Sequence, residues 1–360
     1  MLYEIFPDPR ALYPKGEAAV QTLQIHRPIP ERVPIGHFEH RGGGVEEVVD
    51  EVVSRSVYLH LIQRACAELG DGLNVRFFDH FEVGFDASVL DQLDEIRCLS
   101  IDGMKQVHHP QAVGRLPKLT DLLFGPWGKH KPDVLAAVGV QRLEHFTLAR
   151  TLTPPIDLSP IGAAHSLRTL RLLGRGKNTE SIGSCTSLTE LAIDPSPKFS
   201  LDFINRLTSL ETLKFVLGNT TSICAIESLP ALTDLSFFEV HSLEELGDLQ
   251  RFPRLRRLQL SDQPRIAELR VGPRNAALEH MRLYSVPALH TIKGLSSLPA
   301  LKSLWAYDSR LDIPWSALPP TLTHFQLVTK RVKGRDEHNA EVRARGLIPD
   351  VHPDSHFFYK

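Results

Sequence analysis

Leu255-Arg256-Arg257-Leu258-Gln259-Leu260 sets the pattern from which the fold is read: apolar residues at the first, fourth and sixth positions of a six-residue phrase. The same phrase returns as Leu210-Glu211-Thr212-Leu213-Lys214-Phe215 and as Leu232-Thr233-Asp234-Leu235-Ser236-Phe237. Working outward, its first position falls at Ile96, Leu119, Leu143, Leu167, Leu188, Leu210, Leu232, Leu255, Leu278, Leu301 and Leu322, with successive gaps of 21–24 residues. Several units add an apolar residue three positions earlier, as in Ser297-Leu298-Pro299-Ala300-Leu301. Near-constant spacing on this scale is the mark of a repeat architecture, in which each unit leans on its neighbours.

Alternation over the last residues of each phrase is strand patterning, because successive side chains of a strand point to opposite faces. The leucines then face a shared core, and the variable residues between them face away from it. The pattern resembles the leucine-rich repeat superfamily, and is most similar to its short intracellular and bacterial repeats of 21–24 residues. That resemblance covers roughly residues 73–328. It implies an α/β solenoid with a parallel concave sheet of about 11–12 strands and short helical or extended convex segments. Residues 1–72 are expected to form an N-terminal cap of an extended piece plus a helix, and residues 329–360 a C-terminal cap or tail. Leu73-Asn74-Val75-Arg76-Phe77 reads as a degenerate first unit.

Within the first cap, Val45, Val48, Val49, Val52 and Val53 have helical spacing after Gly42-Gly43-Gly44. A longer helix is expected near Leu243–Gln250, and Arg335–Arg345 is compatible with a helix. The chain departs from the family pattern three residues after the last strand leucine, where the usual Asn is missing. Met104, Trp127, Gly218, Val240, Gln263, Val286 and Ser309 stand there, with Thr151, Arg175, Ser196 and Lys330 in the remaining units. Main-chain bonds or water must replace the Asn ladder, and Trp127, in the Gly125-Pro126-Trp127-Gly128 loop, is expected to fill its vacant slot, with a second partner contact as the alternative.

Composition narrows the function. Lys+Arg 41 against Asp+Glu 43 gives a net charge of -2, without the basic footprint of a general nucleic-acid binder. No apolar run is long enough to span a bilayer. The start carries no basic region followed by an apolar core, so no secretory leader is read there. Cys66, Cys98, Cys185 and Cys224 are scattered and form no CxxC pair, so reduced thiols and a cytoplasmic setting are expected. Catalytic signatures are missing: no GxSxG, HExxH, GxGxxG or phosphate-binding loop occurs. Gly174-Arg175-Gly176-Lys177 lacks the earlier Gly and the following Ser/Thr of such a loop. The His108-His109, His37/His40 and His352/His356 pairs bring no third ligand at a metal-binding spacing. No cofactor, no metal and no enzymatic activity are expected.

The outward residues are distributed unevenly. Acidic side chains (Asp102, Asp121, Glu190, Asp194) dominate the first five strands, whereas Arg257, Arg282, Phe238, Tyr284, Trp305 and Tyr307 gather late. Trp, Tyr and Arg are enriched at binding hot spots because they join large contact area to a polar handle. Phe238, Arg257, Gln259, His280, Arg282, Tyr284, Trp305 and Tyr307 are therefore the expected partner-binding residues. The resemblance implies a partner protein held on the concave face, with bacterial immunity proteins that block a cognate toxin among such repeats. A regulatory adaptor or effector, whose N-terminal 72 residues contact a second protein, is the alternative. An active site within that N-terminal segment is a third reading, for which no convergent acid, base or nucleophile is found.

Overall fold

The computed structural model describes residues 5–7, 21–26, 29–41, 44–79, 83–128, 131, 133–149, 155–174, 176–194, 200–328 and 335–349, with the side chains of 5–7, 26, 36–41, 44–48 and 335–337 excepted. The His37 and His40 side chains, Arg175 and residues 350–360 lie outside the described residues, as do the Asn-slot positions Thr151, Ser196 and Lys330. Two compact units divide between Ser181 and Ile182.

In the first unit, parallel strands run in the order Gln21–His26, Leu73–Phe78, Cys98–Asp102, Asp121–Gly125, His145–Leu148 and Thr169–Leu172. Leu73–Phe78 confirms the degenerate first unit. Its register pairs Val75 with Leu99 and Phe77 with Ile101, so the apolar residues stack directly on one another. Gln21–His26 adds a parallel strand that the repeat phrase does not announce, and Ile5–Pro7 pairs antiparallel beyond it. Both are strands of the first unit's sheet that lie outside the repeat phrase.

The valine-rich stretch is not a helix. Gly44–Ser54 is a strand, paired antiparallel with Arg32–Arg41 and with a register shift between Ile35 and Gly36. Valine is β-branched and stiff at χ1, and five valines in a short run favour a pleated ladder over a helix of the same spacing. The helix starts later, at Arg55–Leu69, where Ser54 caps it by accepting from the Val57 N–H at 3.4 Å. Tyr58, Leu59, Ile62 and Cys66 form its buried stripe. Gln63 fastens the helix to the turn before Cys98: its Nε2 donates to Asp94, and its Oε1 accepts from the Glu95 N–H at 3.2 Å.

In the second unit, seven parallel strands follow in order: Glu190–Ile193, Thr212–Val216, Asp234–Phe238, Arg257–Ser261, His280–Val286, Ser303–Ser309 and His324–Val328. Leu235 pairs with Leu258, Leu258 with Met281, and Met281 with Leu304. These side chains are almost wholly buried, and Phe215 stacks on Phe237 at 5.0 Å in the same core. Short 3-10 turns such as Asp202–Arg206 and Leu295–Ser297 return the chain between strands. The longer helix expected near Leu243–Gln250 does not form. Ser222 bridges to Glu245 and Asp248 to Arg270, leaving only the turn Leu249–Arg251. Gly247 sits at φ +68, where a Cβ would meet Arg251 Nη1 at 2.7 Å and Cys224 Sγ at 3.0 Å, so a regular helix cannot pass through it. The C-terminal helix does form, over Arg335–Ala344.

Main-chain bonds take over from the missing Asn ladder. Two residues after the last inward strand residue, the backbone turns left-handed at Gly103, Leu217, Glu239, Asp262, Ser285 and Asp308. At four of these positions the turned N–H donates to the next unit: Gly103 to Gly125 O, Leu217 to Phe238 O, Glu239 to Ser261 O and Asp262 to Tyr284 O, at 2.7–3.2 Å. The slot itself is packed with Met104, Val240 and Val286, or with Gln263, whose Nε2 donates to Ser261 O at 2.7 Å. Trp127 does not fill it, since 38% of that residue is exposed. One Asn does serve the backbone elsewhere. Asn275, in the row that is otherwise mostly apolar, donates to Leu249 O and Phe252 O at 2.8 and 3.3 Å and accepts from Gly272 N–H.

Left-handed turns are strained for residues with a Cβ, by about 1–2 kcal/mol, so Glu239→Gly is expected to raise stability by about 0.5–1 kcal/mol in urea unfolding. Gly103→Ala should do the opposite, because its Cβ would lie 2.2 Å from Asp79 O. A loss of about 2 kcal/mol or more is expected for that change.

Candidate functional site

The sheet face opposite the leucine core carries the residues singled out above, and strand register decides which of them meet. Phe238 is paired with Ser261, and Ser261 with Tyr284, which is itself paired with Tyr307. The middle row runs Gln259, Arg282, Trp305, Gln326, and the row nearest the strand starts runs Asp234, Arg257, His280, Ser303, His324. All eight predicted residues therefore lie on four adjacent strands.

Three rings form one stacked cluster. Tyr284 lies 5.9 Å from Trp305 and 5.3 Å from Tyr307, Trp305 lies 6.0 Å from Tyr307, and the ring planes differ by only 2–11°. The Arg282 guanidinium sits over the Trp305 ring at 5.1 Å, within range of a cation–π attraction. The Trp305 indole N–H donates to Gln326, which is buried. This anchors the largest ring of the cluster while its neighbours stay open: Tyr284 is 38% and Tyr307 39% exposed, and Phe238, further along the sheet, is 46% exposed. Ser261 is the small residue between Phe238 and Tyr284. Two strand steps separate those rings, about 9–10 Å, and the floor between them is polar, with Gln259 Nε2 donating to Ser261 Oγ at 3.1 Å.

The charges are less one-sided than counting suggests. Arg257 donates to Asp234 on the preceding strand, and Lys214 lies 3.4 Å from Glu190, so these cations are already neutralised in part. Opposite charges directly across a strand pair attract, which is the sheet's own reason for placing them there. His280 Nδ1 is 2.9 Å from Ser303 Oγ. Glu279, beside it, is raised by partial burial, but its bonds to Arg256 and Lys302 outweigh that and leave the carboxyl below its ordinary value.

In the first unit the same face is different in kind. Several outward positions are small polar residues that are buried: Thr22, Asn74, Ser100 and Thr169. Ser100 Oγ donates to Asn74 Oδ1 at 3.1 Å. Arg76 donates to Asp102, with Nε to Oδ1 at 2.8 Å, and its guanidinium lies 4.7 Å from the Phe78 ring. Arg76 was missed as an outward cation because its unit is too degenerate to match the repeat phrase.

No reactive centre emerges among the described residues. No three His, Cys, Asp or Glu side chains are grouped to hold a metal ion, and no helix is long and apolar enough to cross a membrane. His109 pairs instead with Asp86 at 2.9 Å. The Asp86 carboxyl is lowered to about 2, chiefly by the Ser88 backbone N–H and then by His109, which is the signature of a turn cap. Asp157 is also lowered to about 2, by the Ser159 backbone N–H, the Ser159 hydroxyl and Asn178. None of the four cysteines is in a disulfide, and burial pushes the Cys66 and Cys185 thiols up to about 11, away from thiolate chemistry.

The repeat length, the parallel in-register strands and the apolar core within each unit are those of a leucine-rich repeat fold. No family model matches the chain, and no curated protein matches it. Similar solved structures include the internalin inlF of Listeria monocytogenes, 16% identical over 63% of this chain and 76% of that one, with a TM-score of 0.42. Internalin C2 of the same organism is 19% identical over 59% of this chain and 85% of its own, with a TM-score of 0.42. The LRIM1/APL1C complex is 14% identical over 91% of this chain and 59% of that chain, with a TM-score of 0.47. The repeat assignment rests on the register and burial within this chain.

Because the face is separate from the core, its variants should be readable. Phe238→Ala is expected to change unfolding free energy by less than about 0.5 kcal/mol. Trp305→Phe, which leaves the buried Gln326 without its donor, should cost about 1–3 kcal/mol. Urea unfolding followed by far-UV circular dichroism checks both.

Proposed function

We propose that the chain is a non-catalytic scaffold that binds a partner protein on the open sheet face of its second unit. One observation carries this reading: Tyr284, Trp305 and Tyr307 stack in a solvent-facing cluster beside Phe238 and Arg282, on strands whose other face holds the core. Rigid aromatic rings offer contact area at little entropic cost, and anchors of this kind dominate protein–protein binding energy. The gap over Ser261, walled by Phe238 and Tyr284, suits a partner side chain inserted between two rings. Paired charges at Asp234–Arg257, and further along the sheet at Glu190–Lys214, would act on register and partner choice more than on affinity. Neutralisation of a cognate toxin is the finer role that we assign, with the toxin as the captured protein.

A specific observation favours the adaptor alternative as a second reading. Val49, Val52, Val57 and Leu61 are exposed on the N-terminal strand and helix, an apolar set that suits a second contact. The domain limits 1–72, 73–328 and 329–360 belong to the same proposal, with the first segment acting as cap, contact surface or both.

The test is capture by the full chain from lysate of its native host, compared with R282A/W305A/Y307A and, separately, V57S/L61S. The proposal expects one protein recovered specifically by the wild type and lost, by about tenfold or more, from the triple variant while its circular dichroism spectrum is retained. Unchanged capture by the triple variant overturns the site. Loss confined to V57S/L61S moves the contact to the N-terminal segment, and a co-purifying toxin would identify the finer role.

A further inference from the structure

The last strand of the sheet is closed by a helix that docks through an ionisable side chain. His338, on Arg335–Ala344, stacks on Trp315 with ring centroids 6.3 Å apart and planes at 20°. It also meets the buried ring of Phe325 edge-on, at 5.7 Å and 63°. Trp315 and Phe325 are themselves in edge contact at 5.6 Å, so the imidazole completes a three-ring cluster. Val342, one turn further along the helix, is fully buried. Beyond the helix, the chain reaches back to the sheet edge: Phe325 N–H donates to Ile348 O at 3.0 Å, and Ile348 N–H donates to Thr323 O at 2.9 Å. These bonds occupy backbone groups that a terminal strand would otherwise present as a template for another chain.

The place held by His338 suits a neutral ring. Its Nε2 is buried and has no hydrogen-bond partner among the described residues. A neutral imidazole can leave one nitrogen as an unused acceptor, but the imidazolium has two donors and a charge to satisfy. An unpaired, charged N–H between two aromatic rings is costly. Burial accordingly lowers the His338 pKa, and Glu341 on the same helix works in the other direction. Glu341 is shared with Arg345, 3.4 Å away, whose guanidinium lies over the Trp315 ring at 4.2 Å. On the last strand, His324 is engaged with Thr323 Oγ1 at 2.9 Å and belongs to the outward row, while His338 meets the inward Phe325. Asp312 precedes the Trp315 turn. The side chains of Arg335, Asp336 and Glu337 lie outside the described residues.

We propose that His338 makes this C-terminal closure acid-sensitive, so that its protonation releases the helix from Trp315 and Phe325 and opens the edge of strand His324–Val328. The sign follows from linkage. A released His338 titrates near its ordinary value of 6.5, whereas the docked ring binds a proton only at lower pH. Docking is therefore at full strength above about pH 6.5, weakens as pH falls toward the docked value, and levels off below it. Between the two values the docking equilibrium changes by about tenfold per pH unit. The device needs no partner and stands apart from the open-face reading.

The experiment is amide hydrogen exchange on the full chain at about pH 7.5 and about pH 5.5, corrected for intrinsic rates and compared with His338→Phe, together with an NMR titration of the His338 Cε1 proton. The wild type is expected to lose protection, by up to about tenfold, at Phe325 and Ile348 on acidification, with Leu258 unchanged. His338→Phe, which keeps the stacking and cannot protonate, should hold its protection. Equal acid response in both chains, or none in the wild type, overturns the proposal. A Cε1 titration midpoint at or above about 6.5 in the folded chain overturns it as well, and that reading does not depend on how the variant folds.

Discussion

Each strand offers the core only two or three apolar side chains, and no single unit could bury them alone. They are buried because the strands pair in parallel with zero slip, placing Leu235 beside Leu258, Leu258 beside Met281 and Met281 beside Leu304. A one-residue shift in register would turn every leucine outward. The open face inherits its order from the same constraint. Phe238, Ser261, Tyr284 and Tyr307 fall in one row because the leucines beneath them do.

The turns after the strands show how the constraint is met without the usual asparagine. A left-handed residue directs its N–H along the stack to the next unit, as Leu217 does to Phe238 O and Glu239 to Ser261 O. Hydrogen bonding between units then belongs to the backbone, which leaves the slot side chains to vary: Val240 and Val286 pack there, and Gln263 bonds to Ser261 O. Conformational strain at non-glycine residues is the cost of this solution. The turn residues lie just beyond the row that bears Phe238 and Tyr284, so backbone order there also steadies the exposed rings.

Much of this was legible in the residues. The repeat phrase located the strands from Cys98 onward and in the right register, because burial on one face imposes a period of two that survives loop variation. It also placed all eight site residues on neighbouring strands, since their positions follow from the phrase. Local pattern was a poorer guide where tertiary pairing decides the outcome. Val45–Val53 has helical spacing, yet its partner strand Arg32–Arg41 makes it a hairpin. Gln21–His26 carries no repeat phrase and joins the sheet through Leu73–Phe78. Charge was legible only as a count, and the Arg257–Asp234 pairing emerges once the strands are adjacent. Nothing in the sequence marked His338, because its character comes from Trp315 and Phe325, brought to it by the fold.

The central claim is that the aromatic cluster on the open face meets a partner. Hydroxyl-radical footprinting of the full chain, alone and in complex with a protein captured from its native host, tests it directly. The account predicts that oxidation of Phe238, Tyr284 and Tyr307 falls on complex formation while Trp127, far along the sequence and equally exposed at 38%, is unaffected. Undiminished oxidation of all three rings in a complex that is demonstrably formed would contradict it.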